Sequence, residues 1–247
     1  MGYGLSTLLK EAYTSSMSGK RMSGDKRSEA IVKAVLPVFA NEGYHGSTVK
    51  NLAQAAGVSE ALLYRHFPGK RELYAAAQIR SIRQLFKDKE NVLSEEPSTE
   101  VLIHLIWYIL NRMLIVSKNK RNKRDMVYRF IFRSYLEDGG FAKQVNQEVF
   151  GEFIDLMDRC IQHSHEVGDI SSIYPNSTNA CWFFQHIASH VVLTTLPQNG
   201  SCSYEGRKDA LIQDICLFSL KGIGLNKKAI QRYLDYLQLS EWLYALK

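Results

Sequence analysis

Paired cysteines, long apolar runs, strand-like alternation and catalytic signatures are all missing from this chain. Its four cysteines, Cys160, Cys181, Cys202 and Cys216, are scattered with no CxxC pair. That excludes a disulfide frame and reads as reduced cytosolic thiols. The most membrane-like run, 101–116, is too short to span a bilayer and is interrupted by His104, Asn111 and Arg112, so it reads as a core helix. No apolar stretch follows the first basic residues, which argues against a secretory signal and for a cytoplasmic protein. There is no GxSxG, no phosphate loop, no nucleotide fingerprint after a strand and no Cys-His pairing at a motif spacing, so an enzyme is not expected. Gly222 and Gly224 follow one helical pattern and precede another, as a helix stop does. A metal is not expected either: His186 and His190 are one helical turn apart but have no third partner. Cys160, His163 and His165 fall on diverging helix faces. No cofactor is implied.

What is present is helix. The 247 residues are 45% hydrophobic with only 5 prolines, and apolar positions recur with a 3.6-residue period. The expected fold class is all-α, in two domains. The charge is unevenly placed. Residues 1–90 hold 14 Lys and Arg against 8 Asp and Glu, while residues 91–247 hold 17 of each, so the whole net charge of +6 sits in the first third. A basic domain joined to a neutral one fits an electrostatic footprint for phosphate on the first alone.

Residues 1–24, rich in Ser, Gly and Met, read as a flexible arm whose Lys20 and Arg21, with Lys26 and Arg27, can follow DNA phosphates. Asp25 to Glu42 reads as a first helix with Ile31, Val35, Val38 and Phe39 inward, Pro37 inside it as a source of a kink, and Gly43 ending it. Arg71 to Asn91 reads as one connector helix. A boundary falls at Ser94 to Thr99, with Pro97, and helical segments follow near 99–117, 124–137, 141–167, 176–195, 205–222 and 226–246. The charged run from Lys118 to Arg124, with Lys120, Arg121 and Lys123, reads as a solvated loop able to make a weak phosphate contact.

The most informative stretch is TVKNLAQAAGVSEALLYRHFPGK, from Thr48 to Lys70. Thr48 is a good N-cap, and Val49, Leu52, Ala53 and Ala56 follow at the spacing of one buried helix face. Gly57 accepts positive φ at the turn, and Ala53 is small enough for a second helix to cross above it. Ser59 caps that helix. Its inward residues are Val58, Leu63 and Phe67, which leaves Glu60, Ala61, Tyr64 and Arg65 outward. Pro68 and Gly69 end it, and Lys70 opens the next.

In type, order and spacing, Thr48, Leu52-Ala53, Ala56-Gly57-Val58-Ser59, Leu63-Tyr64, His66-Phe67 and Lys70 resemble the N-terminal signature of the tetracycline-repressor (TetR) family of transcriptional regulators. The resemblance covers residues 25–90. It implies a three-helix helix-turn-helix domain at 25–70, the connector at 71–91 and a helical ligand-binding and dimerisation domain at 92–247. It also places Thr48, Ser59, Tyr64, His66 and Lys70 on phosphates, with Glu60, Ala61 and Leu62 facing base edges and Arg65 at the rim. Glu60 can accept from cytosine N4, and Ala61 and Leu62 can touch a thymine methyl.

The resemblance implies a repressor that binds a palindromic double-stranded DNA operator as a homodimer and is released by a small molecule. The dimer is expected through 176–195 and 205–222, with Phe183, Val191, Leu211, Ile215 and Leu220 on the apolar faces. Polar groups mixed into apolar walls, His104, Trp107, Tyr108, Asn111, Phe130, Arg133, Phe183 and His186, suit a pocket for an apolar or aromatic effector. Two other readings stay open: a DNA-binding regulator with no small-molecule ligand, and a helical ligand-binding protein carrying a disused DNA motif. Residues 226–247, with Ile230, Tyr233, Leu234, Leu237 and Trp242 at helical spacing, are expected to pack on the second domain or on a partner subunit.

Overall fold

The computed structural model describes residues 24–83, 86, 89–115, 118–172, 174–197 and 199–245, with the side chains of 82, 83 and 118–123 outside the description. The expected arm with Lys20 and Arg21, the connector position Ile82 and the side chains of Lys118, Lys120, Arg121 and Lys123 lie outside the described residues. Within them the chain forms thirteen α-helices and one π-helical turn, with no strand beyond an isolated bridge between Ile170 and Leu225.

Helix α1 (Gly24–Gly46) buries Ile31, Val32, Val35, Phe39 and Ala40. Pro37 does not break it. The non-helical residue inside this span is Gly43, at φ 74° and ψ −176°, and Pro37 sits on the exposed side, where water can take the carbonyl that the ring deprives of a donor. The chain is reset at Gly43 into α2 (Val49–Ala56) and α3 (Glu60–His66). Both caps form as the sequence suggests: Thr48 Oγ1 accepts from Asn51 N and Ser59 Oγ from Leu62 N, each at 3.1 Å. Gly57 adopts φ 63°, and the Val58 and Gly57 amides close the end of α2 on the carbonyls of Ala53 and Gln54. Helix α4 (Lys70–Arg83) packs back on α1, where Arg80 pairs with Glu29 and holds that carboxyl below its ordinary value.

The connector is two pieces rather than the single helix expected over 71–91. Helix α4 ends at Arg83 and α5 (Lys89–Leu93) begins six residues later, with Phe86 in a bend between them. Phe86 is buried against Tyr108, Phe150 and Phe153, with ring centroids 5.2–6.1 Å apart. Three aromatic contacts anchor Phe86 in the core of the second domain.

Helix α6 (Thr99–Leu114), capped by Ser98, is the axis of the second domain. Twelve of its sixteen residues are buried, so it is wrapped on every side. Its neighbours are α9 (Gly151–Glu166), α10 (Ser177–Thr195), α11 (Lys208–Ile223), α12 (Lys227–Tyr233) and α13 (Tyr236–Ala245). The basic run expected as a loop is instead the start of α7 (Lys118–Leu136). Arg124 explains the turn: it is buried and donates to the carbonyls of Met113 and Leu114 at 3.3 and 3.2 Å, closing the end of α6, while Asp125 balances its charge at 2.6 Å. The segment near 141–167 is α8 (Gly140–Val145), the π turn Asn146–Phe150 and α9 in succession. Helix α7 also packs on α1 and α4, so one continuous apolar core runs through both halves.

Candidate nucleic-acid interface

Helix α3 is amphipathic in the sense that matters for reading a groove. Leu63 is fully buried and Phe67 nearly so, while Glu60, Ala61, Tyr64 and Arg65 are exposed, Tyr64 at 46%. Leu62 is only half-buried on the flank. Among the described residues no hydrogen bond or ion pair engages Glu60, Tyr64 or Arg65, so their polar ends are uncommitted. Thr48 and Ser59 accept from amides through their lone pairs, which leaves each hydroxyl proton to donate outward.

Two of the expected phosphate contacts are already engaged within the fold. Lys70 Nζ donates to the Ser47 carbonyl at 2.5 Å and lies 4.6 Å over the Tyr44 ring. It pins the α1–α2 turn, keeping only its remaining N–H groups for a phosphate. His66 Nδ1 meets Ser28 Oγ at 2.9 Å, which orients the ring and leaves Nε2 as its outward nitrogen.

The turn held by Lys70 is also where the second domain touches the first. Arg133 on α7 donates to the Asn41 carbonyl at 3.3 Å and lies against Gly43, where an added Cβ would stand 2.5 Å from its Nη1. Beside it, Tyr74 on α4 meets Phe39 edge-on and Tyr44 and Phe130 at a tilt, with ring centroids 4.9–5.7 Å apart. Burial pushes the Tyr74 phenol up to about 12. Sequence reasoning missed this junction, although Gly43 and Arg133 were both conspicuous in it, because their contact crosses some ninety residues.

Among the described residues the eight expected ligand residues have different neighbours. His104 stacks on Trp242 at 4.2 Å, and Trp107 lies 5.3 Å from Tyr236. Tyr108 faces Phe86 and Phe153, and Asn111 donates back to the Trp107 carbonyl. Phe130 packs between Tyr74 and Phe141. Arg133 belongs to the interdomain contact, while Phe183 and His186 are exposed on the outer side of α10. The physical reason is that α6 is enclosed all round, so residues three and four apart on it meet different neighbours. A separate cleft of about 180 Å³ opens at the start of α6, lined by Thr99, His163, Asp169 and Arg232 among others. Its Thr99 hydroxyl donates to Asp169 at 2.7 Å.

The residues expected on the dimer faces differ in exposure. Val191, Ile215 and Leu220 are buried in the chain's own core and Leu211 is half-buried. The apolar residues left outward are Phe183 at 60% and Leu193 at 38% on α10, with Phe218 at 64% on α11. Cys160, Cys181 and Cys216 are buried and free, and burial pushes their thiols up to about 11, 12 and 12. Among the described residues no three His, Cys, Asp or Glu side chains converge as metal ligands, and no helix is long and apolar enough to cross a membrane.

Residues 31–77, which hold this interface, match the family described as "Bacterial regulatory proteins, tetR family". The chain is similar to the HTH-type transcriptional activator FasR of Mycolicibacterium smegmatis, 39% identical over 67 residues, which are 27% of this chain and 31% of that one. It is also similar to the biofilm operon icaADBC negative transcriptional regulator IcaR of Staphylococcus aureus, 21% identical over 140 residues, 52% of this chain and 62% of that one. The chain therefore spans less than two thirds of either relative. Among solved structures, AibR in complex with isovaleryl coenzyme A and operator DNA shares the fold with a TM-score of 0.58, at 14% identity, over 81% of this chain and 100% of that one.

Proposed function

We propose a mechanism from the premise that this chain belongs, through its N-terminal domain, to the tetR family of bacterial regulatory proteins: it binds a double-stranded DNA operator as a homodimer and answers to a small molecule held in its second domain. The observation that carries the reading is α3, doubly anchored by its cap and by Leu63, with Glu60, Tyr64 and Arg65 exposed and uncommitted. Glu60 and Ala61 enter the major groove, and Arg65 works at its rim. Thr48, Ser59, Tyr64, His66 and Lys70 fix register on phosphates, the last two through the N–H groups their internal contacts leave over. Leu62, on the flank, contributes less than its neighbours.

One such helix reads only a few base pairs, so a second copy is needed for useful specificity. The outward Phe183, Leu193 and Phe218 supply the apolar patch on which two copies meet. Heads joined through the second domains then bind adjacent major grooves, roughly 34 Å apart. The route from ligand to DNA runs through α7. Any displacement of α7 is delivered by Arg133 to Asn41 and Gly43, and by Phe130 to Tyr74, which together seat the α1–α2 turn. A ligand controls binding only if it prefers a dimer whose heads are wrongly spaced over the DNA-bound one. The two regulator relatives act in opposite senses by name, one an activator and one a negative regulator. Repression is the reading favoured for this chain because it needs only the operator-bound dimer, with no further partner surface.

The test is duplex binding by fluorescence anisotropy across a salt series, comparing wild type with Tyr64→Ala, Arg65→Ala. Wild type should show a slope of about −0.9 in log K per log salt for each phosphate neutralised, and the variant a shallower slope with affinity at least tenfold lower. Equal curves for a folded variant would remove α3 as the reading head.

A further inference from the structure

Helix α6 presents His104 and Trp107 one turn apart, and both are covered by aromatics from the end of the chain. The Trp242 indole lies nearly flat on the His104 ring, with centroids 4.2 Å apart and planes inclined by 21°, and Tyr236 lies 5.3 Å from the Trp107 ring. The cover is an incomplete match. Trp107 is 5% exposed, yet its Nε1 finds no hydrogen-bond partner among the described residues. Protein interiors rarely leave such a donor unpaired, so Nε1 is free to meet an acceptor from outside the chain.

The covering element is also the more weakly held of the two C-terminal helices. Helix α12 is tied down at its start, where the Asn226 amide donates to Asp169 O and its side chain to Gly168 O, both at 2.9 Å, with Ala229 fully buried. Helix α13 buries Leu239 alone among its ten residues, and its hydroxyl tie to the preceding framework is Tyr236 to the Gln213 carbonyl at 3.0 Å. Between the two, Leu234 leaves helical geometry at ψ 85°, and the Asp235 carboxylate restarts the helix by accepting from Leu237 N and Gln238 N. The chain has a joint at 234–235, fixed on one side and lightly held on the other.

We propose that the layer between α6 and α13 is the effector site, that it takes a neutral planar bicyclic aromatic bearing a carbonyl, and that α13 is its cover, closed here by Trp242. The proposal rests on the reading of the second domain as effector-binding. The ligand ring replaces the Trp242 indole on His104, and its carbonyl accepts from Trp107 Nε1. Neutrality follows from Glu95, whose carboxylate is 3.5 Å from the His104 ring and disfavours an incoming anion. A cover closed nine-tenths of the time lowers the apparent affinity about tenfold.

Coumarin is a suitable probe, titrated by calorimetry into the full chain in the absence of DNA. Trp242→Ala should bind it at least tenfold more tightly than wild type, and adding Trp107→Phe should abolish most of that gain. In wild type, saturating coumarin should speed amide exchange in 236–245 at least tenfold and leave 227–233 unchanged, a measurement that does not depend on either variant folding. Binding that is no tighter in Trp242→Ala, or insensitive to Trp107→Phe, overturns the proposal. So does exchange in 236–245 that coumarin leaves unaltered, or the absence of binding to wild type and variants alike. Operator binding is read separately: a duplex bound by wild type together with no coumarin site overturns this proposal alone. A coumarin site in a protein that binds no duplex leaves it standing and removes the regulator reading.

Discussion

Gly43 holds φ 74° with ψ −176°, a region that side-chain-bearing residues scarcely enter, and a Cβ there would also meet Arg133. Replacing it with alanine should cost roughly 1–3 kcal/mol, seen as a lower urea midpoint, because strain and steric conflict act together. Gly57, at φ 63° with open space around its missing Cβ, should cost only the backbone term of about 1 kcal/mol. Since Arg133 and Gly43 touch, Gly43→Ala and Arg133→Ala should be non-additive by about 0.5 kcal/mol or more in a double-mutant cycle. Additivity would mean that the contact transmits nothing. The cysteines offer a chemical check. Burial raises the thiols of Cys160, Cys181 and Cys216, so at pH 8 they are protonated as well as shielded, whereas Cys202 is exposed. Iodoacetamide should therefore modify Cys202 alone in the native protein and all four thiols in urea.

At the scale of helices, local grammar was readable and long-range competition was not. Thr48, Ser59 and Gly57 announce the ends of α2 and α3 because each cap is a bond within three to five residues, and the structure makes those bonds. Thr48→Ala should accordingly cost about 1 kcal/mol of stability, measured by urea unfolding, and weaken duplex binding besides. The bend at Phe86 could not be read, since that ring is buried against rings from α6, the π turn and α9, far away in sequence. The start of α7 was equally hidden. A run of Lys and Arg looks like a solvated loop until Arg124 is seen closing the end of α6. The neighbours of the candidate ligand residues were hidden for the same reason. Spacing along α6 tells which residues share a face, but a helix buried all round has no single face, and its neighbours are set by chain segments far away.

In the whole molecule a basic first third meets a neutral remainder, and the fold joins them through α7 as well as through the connector. Under the proposed function, operator reading depends on dimerisation. Phe183→Asp with Phe218→Asp should halve the mass seen in sedimentation and lower operator affinity by a hundredfold or more while leaving helicity intact, because both side chains are exposed in the single chain. A dimer that survives those charges would have to use another face. The most direct measurement for the account as a whole is selection of bound duplexes from a random DNA pool, run in parallel with Tyr64→Ala, Arg65→Ala. A near-palindromic consensus with half-site centres about one helical turn apart, lost in the variant, is the expected result. A folded wild-type protein that enriches no sequence at low salt, or the same sequences with and without Tyr64 and Arg65, would contradict it.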